Sequence, residues 1–563
     1  MADKNMIFEL LRQNKKFILG LITAIWILTV LPVFYGYLTT PPNSYFTGME
    51  YLAPGDFHSY LSYFEQIKQG SFILRDLYTG EEQTLSIFNP FFLIFGLVGK
   101  LFDLPNIVIH HLARLILVPF LIVTLFAFFS RIFKEKSHIR LAMFFAVFSS
   151  GLGFFIAPFI SSYKTPGGYI HWPMDLWVPE FNIFLTILRN PLYIAALTLI
   201  ILTFLFFINA IEKNKIKWSV AAGLTAFFLF LIHPYHVLTI YVIPLLWIAL
   251  LMIKERIIVF PYLGHYLILF LISLPPIIYT IYLTLTDFIA YNRYYSVGGP
   301  PTVFWLTILS YGFLFLLAIS SCLNFLKKIF SKQTNESSQN NILLFCAIWA
   351  IGGLLIIYLP FFKHGRRLTL GLQIPLIVFT VITLMNAQSA SWYKKLKNIV
   401  NIKAAFLLFF IMVFMASNIY VLVSHFQIYT DRSNKYAHIP IEVYQAMRWL
   451  KSNTTPNQDI VLTDQYYGNL IPGIIGRTVY LGHFAETVHF NLKERMLTAF
   501  FSKNRSYNEE VQFLKDNRIT HIFYTENLKK SGGWRPENRS YLSIIFENEK
   551  AAVYKISDLK LNQ

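Results

Sequence analysis

The stretch FNPFFLIFGLVGKLF, residues 88–102, decides how this chain is threaded. It is apolar apart from Asn89 and Lys100. It runs for only about fifteen residues before the break DLPN, whereas a helix that crosses a bilayer needs about twenty. We therefore read it as an interfacial or re-entrant helix, and the charges of the loops on either side test that choice. With this stretch left uncrossed and the N-terminus in the cytoplasm, the inside loops are RIFKEKSHIR, EKNKIKW, KER, KKIFSK and WYKKLKN. Together with the N-terminal tail (Arg12, Lys15, Lys16) they hold about twenty Lys and Arg, against about nine outside. Counting 88–102 as a full span would invert every later loop and put those basic runs outside, against the positive-inside rule.

The rest of the chain has the same character. Of 563 residues, 55% are hydrophobic and 14% charged, where a soluble domain averages about 25% charged. Apolar blocks of span length fall at 17–38, 106–130, 141–160, 190–211, 218–233, 237–253, 262–284, 303–326, 342–361, 368–386 and 403–424. The expected fold is thus a polytopic α-helical membrane protein of about eleven spans. The first apolar block is too long for a signal-peptide core and lacks a small-x-small cleavage site, so it reads as an uncleaved span. The net charge of +18 is expected to be topogenic rather than a nucleic-acid footprint. Cys322 and Cys346 both fall in apolar blocks, which argues against a disulfide framework or a cysteine metal cluster.

From about residue 430 the composition changes. IVLTD, THIFYTEN and AAVYKI read as strands, and IEVYQAMRWLKSN and NEEVQFLKDN as amphipathic helices. The expected division is a transmembrane domain, 1–429, with a first outer loop at about 39–105, followed by an α/β domain, 430–563. After an odd number of spans the latter is extracytoplasmic. The polar run SKQTNESSQNN, 331–341, reads as a cytoplasmic loop.

The outer loops hold the chemistry. In PGDFHSYLSYFEQIKQG, 54–70, the residues Phe57, Tyr60, Leu61, Phe64 and Ile67 form one apolar stripe. This predicts a helix lying on the membrane, with Asp56 at its N-terminal end. Asp56 suits a helix cap and equally a general base. The same loop carries Glu50, His58, Glu65, Arg75, Asp76, Glu81 and Glu82. The second outer loop, 161–189, brings His171, Asp175 and Glu180 among Trp172 and Trp177, with three prolines that bar a continuous helix. His233 and His236 in LIHPYHVLTIY have metal-ligand spacing, but Pro234 intervenes, so cavity lining or interfacial capping competes with a metal. In YLPFFKHGRRLTLGLQIPL, 358–376, Lys363, Arg366 and Arg367 put three cations on the side where positive charge is under-represented. They either snorkel to lipid headgroups or hold a phosphate. A carboxylate base and a phosphate clamp together point to group transfer from a lipid phosphate to a hydroxyl acceptor.

At this point the chain resembles the GT-C fold glycosyltransferases, among them the protein O-mannosyltransferases and the lipid A aminoarabinose transferases. The likeness runs through the early Asp56, the proline-led NPFFLIFGLVGKLF, and HHLARLILVPF with Arg114. It continues through SSGLGFF, DLWVPEFNIF, HPYH, GPPTVFWLTILSYG and YLPFFKHGRRLTLGLQIPL. WLKSNTTPNQDIVLT, GNLIPGIIGRTVYLGHFAET and FLKDNRITHIFYTEN extend it into the tail, and the pattern is that of a bacterial branch. The chain departs from the family in lacking a WWDYG signature and a paired Asp-Glu, since Phe57 follows Asp56. The resemblance implies a multi-pass enzyme of the bacterial cytoplasmic membrane that takes a polyprenyl-phosphate-linked sugar, surrounded by membrane lipids, and passes the sugar to an extracytoplasmic acceptor. It implies Asp56 as base, with Asp175, Glu180, His58, His233 and His236 in supporting or acceptor-binding roles. Lys363, Arg366, Arg367 and Arg114 would meet the donor phosphate. The displacement would invert the anomeric centre. No cofactor is firmly implied, and a divalent metal stays open although no ligand cluster supports one. Two other functions fit a chain of this kind, a lipid-linked sugar transporter and a non-catalytic envelope-polymer assembly protein. A transporter should carry its charges near the midplane on broken helices in repeated halves. Here they cluster at the outer ends and no repeat is evident.

Overall fold

The structure is a computed structural model that describes residues 9–48, 54–83, 87–160, 171–296, 298–331, 338–389, 401–431, 437–502, 505–531 and 533–557. Glu50, residues 161–170 of the second outer loop and the basic run WYKKLKN lie outside the described residues. The chain forms two compact units, one of residues 1–31, 113–280 and 298–424, the other of 32–112, 281–297 and 425–563.

Among the described residues, nine helices are long and apolar enough to cross a membrane, or ten if the bent pair Ala404–Phe414 and Ala416–Thr430 counts as one span. Ile216–Ile232, placed among the expected spans, is a shorter apolar helix. The aromatic core of the first unit packs Trp349 edge-on against Phe204, with centroids 4.8 Å apart, and Trp247 against Phe345 at 5.3 Å. Several helices here are interrupted, and the breaks bond to one another. Lys136–Phe148 ends before Ser149 and resumes as Gly153–Ile160, while the bent pair turns by 59° about Met415. Ser150 donates from its backbone N–H (2.5 Å) and its hydroxyl (2.7 Å) to the Phe414 carbonyl. The Asn418 amide reaches the Phe148 carbonyl at 2.8 Å, and Gln373 reaches that of Ser149 at 2.9 Å. Backbone groups freed in an apolar surrounding must find such partners, because leaving one unpaired costs several kcal/mol.

In the second unit, residues 88–102 give the helix Pro90–Leu101, capped by the Asn89 side chain on the Phe91 N–H (3.1 Å). At about 18 Å it is far too short to cross a bilayer. Phe91, Phe92 and Phe95 are buried, whereas Ile94, Leu97, Leu101 and Phe102 are exposed, which gives this helix one packed face and one open apolar face. The helix Pro54–Lys68 differs from the expectation of a helix lying on a membrane. Its apolar stripe is buried except for the half-buried Tyr60, and so are His58, Ser59, Ser62, Glu65 and Gln66 on its polar side. The reason is distant in sequence. The helix Gln465–Ile475 covers the polar side so closely that a Cβ on Gly473 would come within 2.8 Å of the His58 ring, and one on Gly476 within 2.9 Å of Glu65.

The first outer loop therefore packs with the C-terminal block. β1 (Ser44–Phe46) pairs antiparallel with β2 (His438–Pro440). The remaining strands are β3 (Ile460–Leu462), β4 (Thr478–Val479), β5 (His521–Thr525), β6 (Leu542–Glu547) and β7 (Ala551–Ile556). They form one sheet in the order β4-β3-β5-β7-β6, parallel over the first three and antiparallel thereafter. Side chains alternate across it. Ile522 and Tyr524 pack with the helices Phe490–Phe500 and Tyr507–Asp516, and Phe523 with Ile441–Asn453 and Gln465–Ile475. This is the expected α/β arrangement.

Candidate functional site

In the second unit, Asp56 lies in the first turn of Pro54–Lys68, where the helix N-terminus favours an anion. Its side chain is 54% exposed and meets His483 Nε2 at 3.1 Å. The tautomer of His483 follows from its other nitrogen. Nδ1 accepts the backbone N–H groups of Ala485 (3.3 Å) and Glu486 (3.2 Å), so it carries no proton. The proton of the neutral ring is on Nε2, which donates to Asp56. Gly55 permits this approach, since a Cβ there would fall 2.3 Å from the His483 ring.

Beside this pair lies a second acidic group. Asp76 is buried and accepts the Tyr78 N–H at 2.8 Å. Burial first, and then the nearby Glu486, hold its carboxyl well above the ordinary carboxylate range. Glu486 is ion-paired with Arg293 Nε at 2.9 Å, and the Arg293 guanidinium lies 5.8 Å over the Tyr63 ring. Asp76 stood among the loop acids in the sequence, but nothing there tied it to Glu486, Arg293 or His483. The stretch YLGHFAET offered a Gly-His pair and an acid without indicating a use for them.

His58 does not share Asp56's surroundings. Two residues apart on a helix, the two side chains point in nearly opposite directions. His58 is fully buried and borders a polar cavity with Glu65 and Asn106. Burial lowers its pKa to about 3, which keeps the ring neutral.

In the first unit, the residues flanking 358–376 build a cationic, aromatic nest. Arg366 stacks over Trp177 at 4.4 Å and Arg367 over Tyr235 at 4.5 Å. Arg367 Nη1 also lies 3.7 Å from Glu180 and 3.4 Å from the Tyr193 hydroxyl. The loop is fixed by 299–301, with Arg366 N–H donating to the Gly299 carbonyl and Gly299 N–H to that of Lys363, both at 2.9 Å. His233 and His236 stack with centroids 4.9 Å apart. Both are buried, and none of their ring nitrogens has a hydrogen-bond partner among the described residues. His233 meets the Tyr193 ring at 5.2 Å, and Tyr235 meets His364 at 4.8 Å. Lys363 is exposed and borders a cavity of about 450 Å³ with His171 and Thr302.

Two predicted residues bond to backbone groups within the first unit. Asp175 is fully buried and accepts the N–H groups of Gly151 (3.1 Å) and Gly153 (3.0 Å) at the interrupted helix. Burial pushes its carboxyl up to about 6 despite those bonds. Arg114 is buried and donates to the carbonyls of Thr29 (3.1 Å) and Leu188 (2.6 Å). Among the described residues, no three His, Cys, Asp or Glu side chains converge as a metal-binding group.

No family model and no curated protein matches the sequence. Solved structures do resemble the fold. The oligosaccharyltransferase of Archaeoglobus fulgidus, tethered to an acceptor peptide containing the NVT sequon, aligns over 91% of this chain and 69% of its own at 14% identity, with a TM-score of 0.50. ArnT from Cupriavidus metallidurans, bound to undecaprenyl phosphate, aligns over 97% and 99% at 10% identity, with a TM-score of 0.48. Archaeal AglB from Archaeoglobus fulgidus, in complex with an inhibitory peptide and a dolichol-phosphate, aligns over 92% and 70% at 15% identity, with a TM-score of 0.46. The structural neighbours are GT-C fold membrane glycosyltransferases, and the chain is similar to them in fold.

Proposed function

We propose that this chain is a membrane glycosyltransferase that moves a sugar from a polyprenyl-phosphate donor to a hydroxyl-bearing extracytoplasmic acceptor. The observation that carries this reading is the exposed Asp56 carboxylate, oriented by a neutral His483 whose tautomer is fixed by two backbone N–H groups. In the proposed step the acceptor oxygen attacks the anomeric carbon while the bond from that carbon to the donor phosphate oxygen breaks. The acceptor proton passes to Asp56, and the phosphate leaves with its charge. Arg366 and Arg367 stabilise that charge, with Lys363 adding a point charge from the same loop. Their guanidinium planes rest on Trp177 and Tyr235, which orders two long side chains before the donor arrives. Glu180 pairs with Arg367, and His233 and His236 support it one step removed, through the Tyr193 that Arg367 also meets. In this reading the N-terminus is cytoplasmic and the sheet-bearing block faces the outside of a bacterial cytoplasmic membrane.

The test is binding and turnover of a polyprenyl-phosphate sugar panel by the full chain in nanodiscs. Asp56→Asn should bind donor as wild type does and transfer it about 10²- to 10⁴-fold more slowly. Arg366→Ala with Arg367→Ala should lose about tenfold or more in donor affinity, the size of a charge-assisted contact. Donor affinity untouched by the double variant would return the cations to lipid headgroups, and normal turnover in Asp56→Asn would remove the base.

A further inference from the structure

The second unit holds a cavity of about 640 Å³ on the side of Pro54–Lys68 opposite Asp56. Its size falls within the range of about 300–1,000 Å³ typical of small-molecule sites. Residues 56 and 65 are nine apart, half a turn out of phase on a helix and about 13 Å apart along it, so the Glu65 wall is separate from the proposed base.

Three features of the wall describe what it would bind. The first is charge. Lys68, Arg448, Lys451 and Arg477 border the cavity against only two carboxylates, Glu65 and Asp103. Glu65 is already saturated, with Lys451 Nζ at 2.5 Å, Gln69 Nε2 and Asn106 Nδ2 at 2.8 Å, and Lys68 Nζ at 3.9 Å. Arg477 directs its guanidinium to Thr454, Gln69 and nearby backbone carbonyls. Arg448 remains, exposed at the rim with no side-chain hydrogen bond or ion pair among the described residues. The second feature is unmet hydrogen bonding. Both ring nitrogens of the fully buried His58, and the Asn106 Oδ1, lack partners among the described residues. A neutral imidazole offers one donor and one acceptor, which is what a hydroxyl group can use. The third is aromatic lining, for Tyr45 and Tyr444 both border the cavity, stacked on one another with centroids 3.8 Å apart and planes 7° from parallel, so that only their outer faces could meet a ligand. The negative ring face suits the C–H face of a pyranose.

We propose that this cavity binds an anionic saccharide, a sugar bearing a carboxylate or phosphate, with the anion at Arg448 and the hydroxyls at His58 and Asn106. The site lies across the helix from Asp56 and does not depend on it. Burial that keeps His58 neutral is consistent with a hydroxyl partner. A phosphoglycerol lipid headgroup carries the same two groups, so the test separates the sources.

Full-length protein in phosphatidylcholine nanodiscs would be titrated with glucuronic acid, glucose 1-phosphate and glucose, using ligand-observed NMR and calorimetry. An anionic sugar should bind at least about tenfold more tightly than glucose, and Arg448→Ala should remove about that factor. Arg448→Glu should abolish binding. Arg448 is exposed, so both variants are expected to fold, and their melting curves would verify it. No saturable binding by either anionic sugar, or binding unchanged in Arg448→Glu, would overturn the proposal. If phosphatidylglycerol in the discs competes the sugar away, the anion belongs to a lipid headgroup and the saccharide assignment falls.

Discussion

At the scale of single residues, the base and its orienting group can be tested apart. His483 is a positioning residue, acting only through Asp56. His483→Ala should lower kcat by about 10- to 100-fold with KM little changed. His483→Gln, which keeps an N–H able to reach the carboxylate, should restore most of the loss, whereas a purely structural role would show no such rescue. Asp76 makes a different prediction. Its folded carboxyl holds its proton to a higher pH than the unfolded one does, so the unfolded state releases that proton first. The wild type should therefore lose stability as pH climbs above about 4, until the folded group ionises as well. In Asp76→Asn that slope should disappear, and melting temperatures measured from about pH 4 to 8 would show it. Parallel curves would mean that Asp76 has no raised pKa. Asp56 was legible in the sequence because a Gly-Asp before an amphipathic run marks a helix start. His483 was not, because it lies 427 residues away and matters only through a close approach that Gly55 permits.

At the scale of elements, hydropathy located the apolar blocks but not their interruptions. The block 141–160 read as one span, yet it breaks at 149–152, and the block 403–424 bends at Met415. An apolar sequence looks the same whether its carbonyls bond within the helix or to another chain segment. The clue was SSGLGFF, whose glycines are set by contacts no local pattern reveals. A Cβ on Gly151 would sit 1.7 Å from the Ser310 carbonyl oxygen, which is backbone and cannot swing aside. Gly151→Ala should thus destabilise the membrane unit by about 1–3 kcal/mol or more, read as a lowered melting temperature in detergent. An unchanged melting temperature would show that the break relaxes freely. The helix Pro54–Lys68 repeats the lesson. Its apolar stripe was correctly placed from spacing, but its buried polar side depends on glycines more than 400 positions later.

At the scale of the whole molecule, composition was enough for the class, because blocks of span length with few charges leave little choice in water or lipid. The sheet was also largely legible. IVLTD, THIFYTEN and AAVYKI are β3, β5 and β7, while the two-residue β4 and the exposed β6 carried too little pattern to register. Which segments form each compact unit was not legible, since β1 finds its partner almost 400 residues later. Orientation remains a prediction of the loop charges, and the chain is well suited to testing it. Cys322 and Cys346 are both buried, so a single Glu549→Cys at an exposed position should be labelled by a membrane-impermeant maleimide on intact cells. Labelling only after lysis would invert the topology and place Asp56 in the cytoplasm.

The paired helix breaks also bear on how the chain is made. Ser150 enters the membrane long before Phe414 exists, with 264 residues between them. At about 5–20 residues per second that interval lasts roughly 13–50 s. Throughout it, an opened helix turn waits in or beside the bilayer without its acceptor. The break at Ser150 can therefore reach its final bonding only after the segment carrying Phe414 has been made. Truncation before residue 414 should leave the nascent protein a substrate for membrane proteolysis rather than a shorter stable bundle.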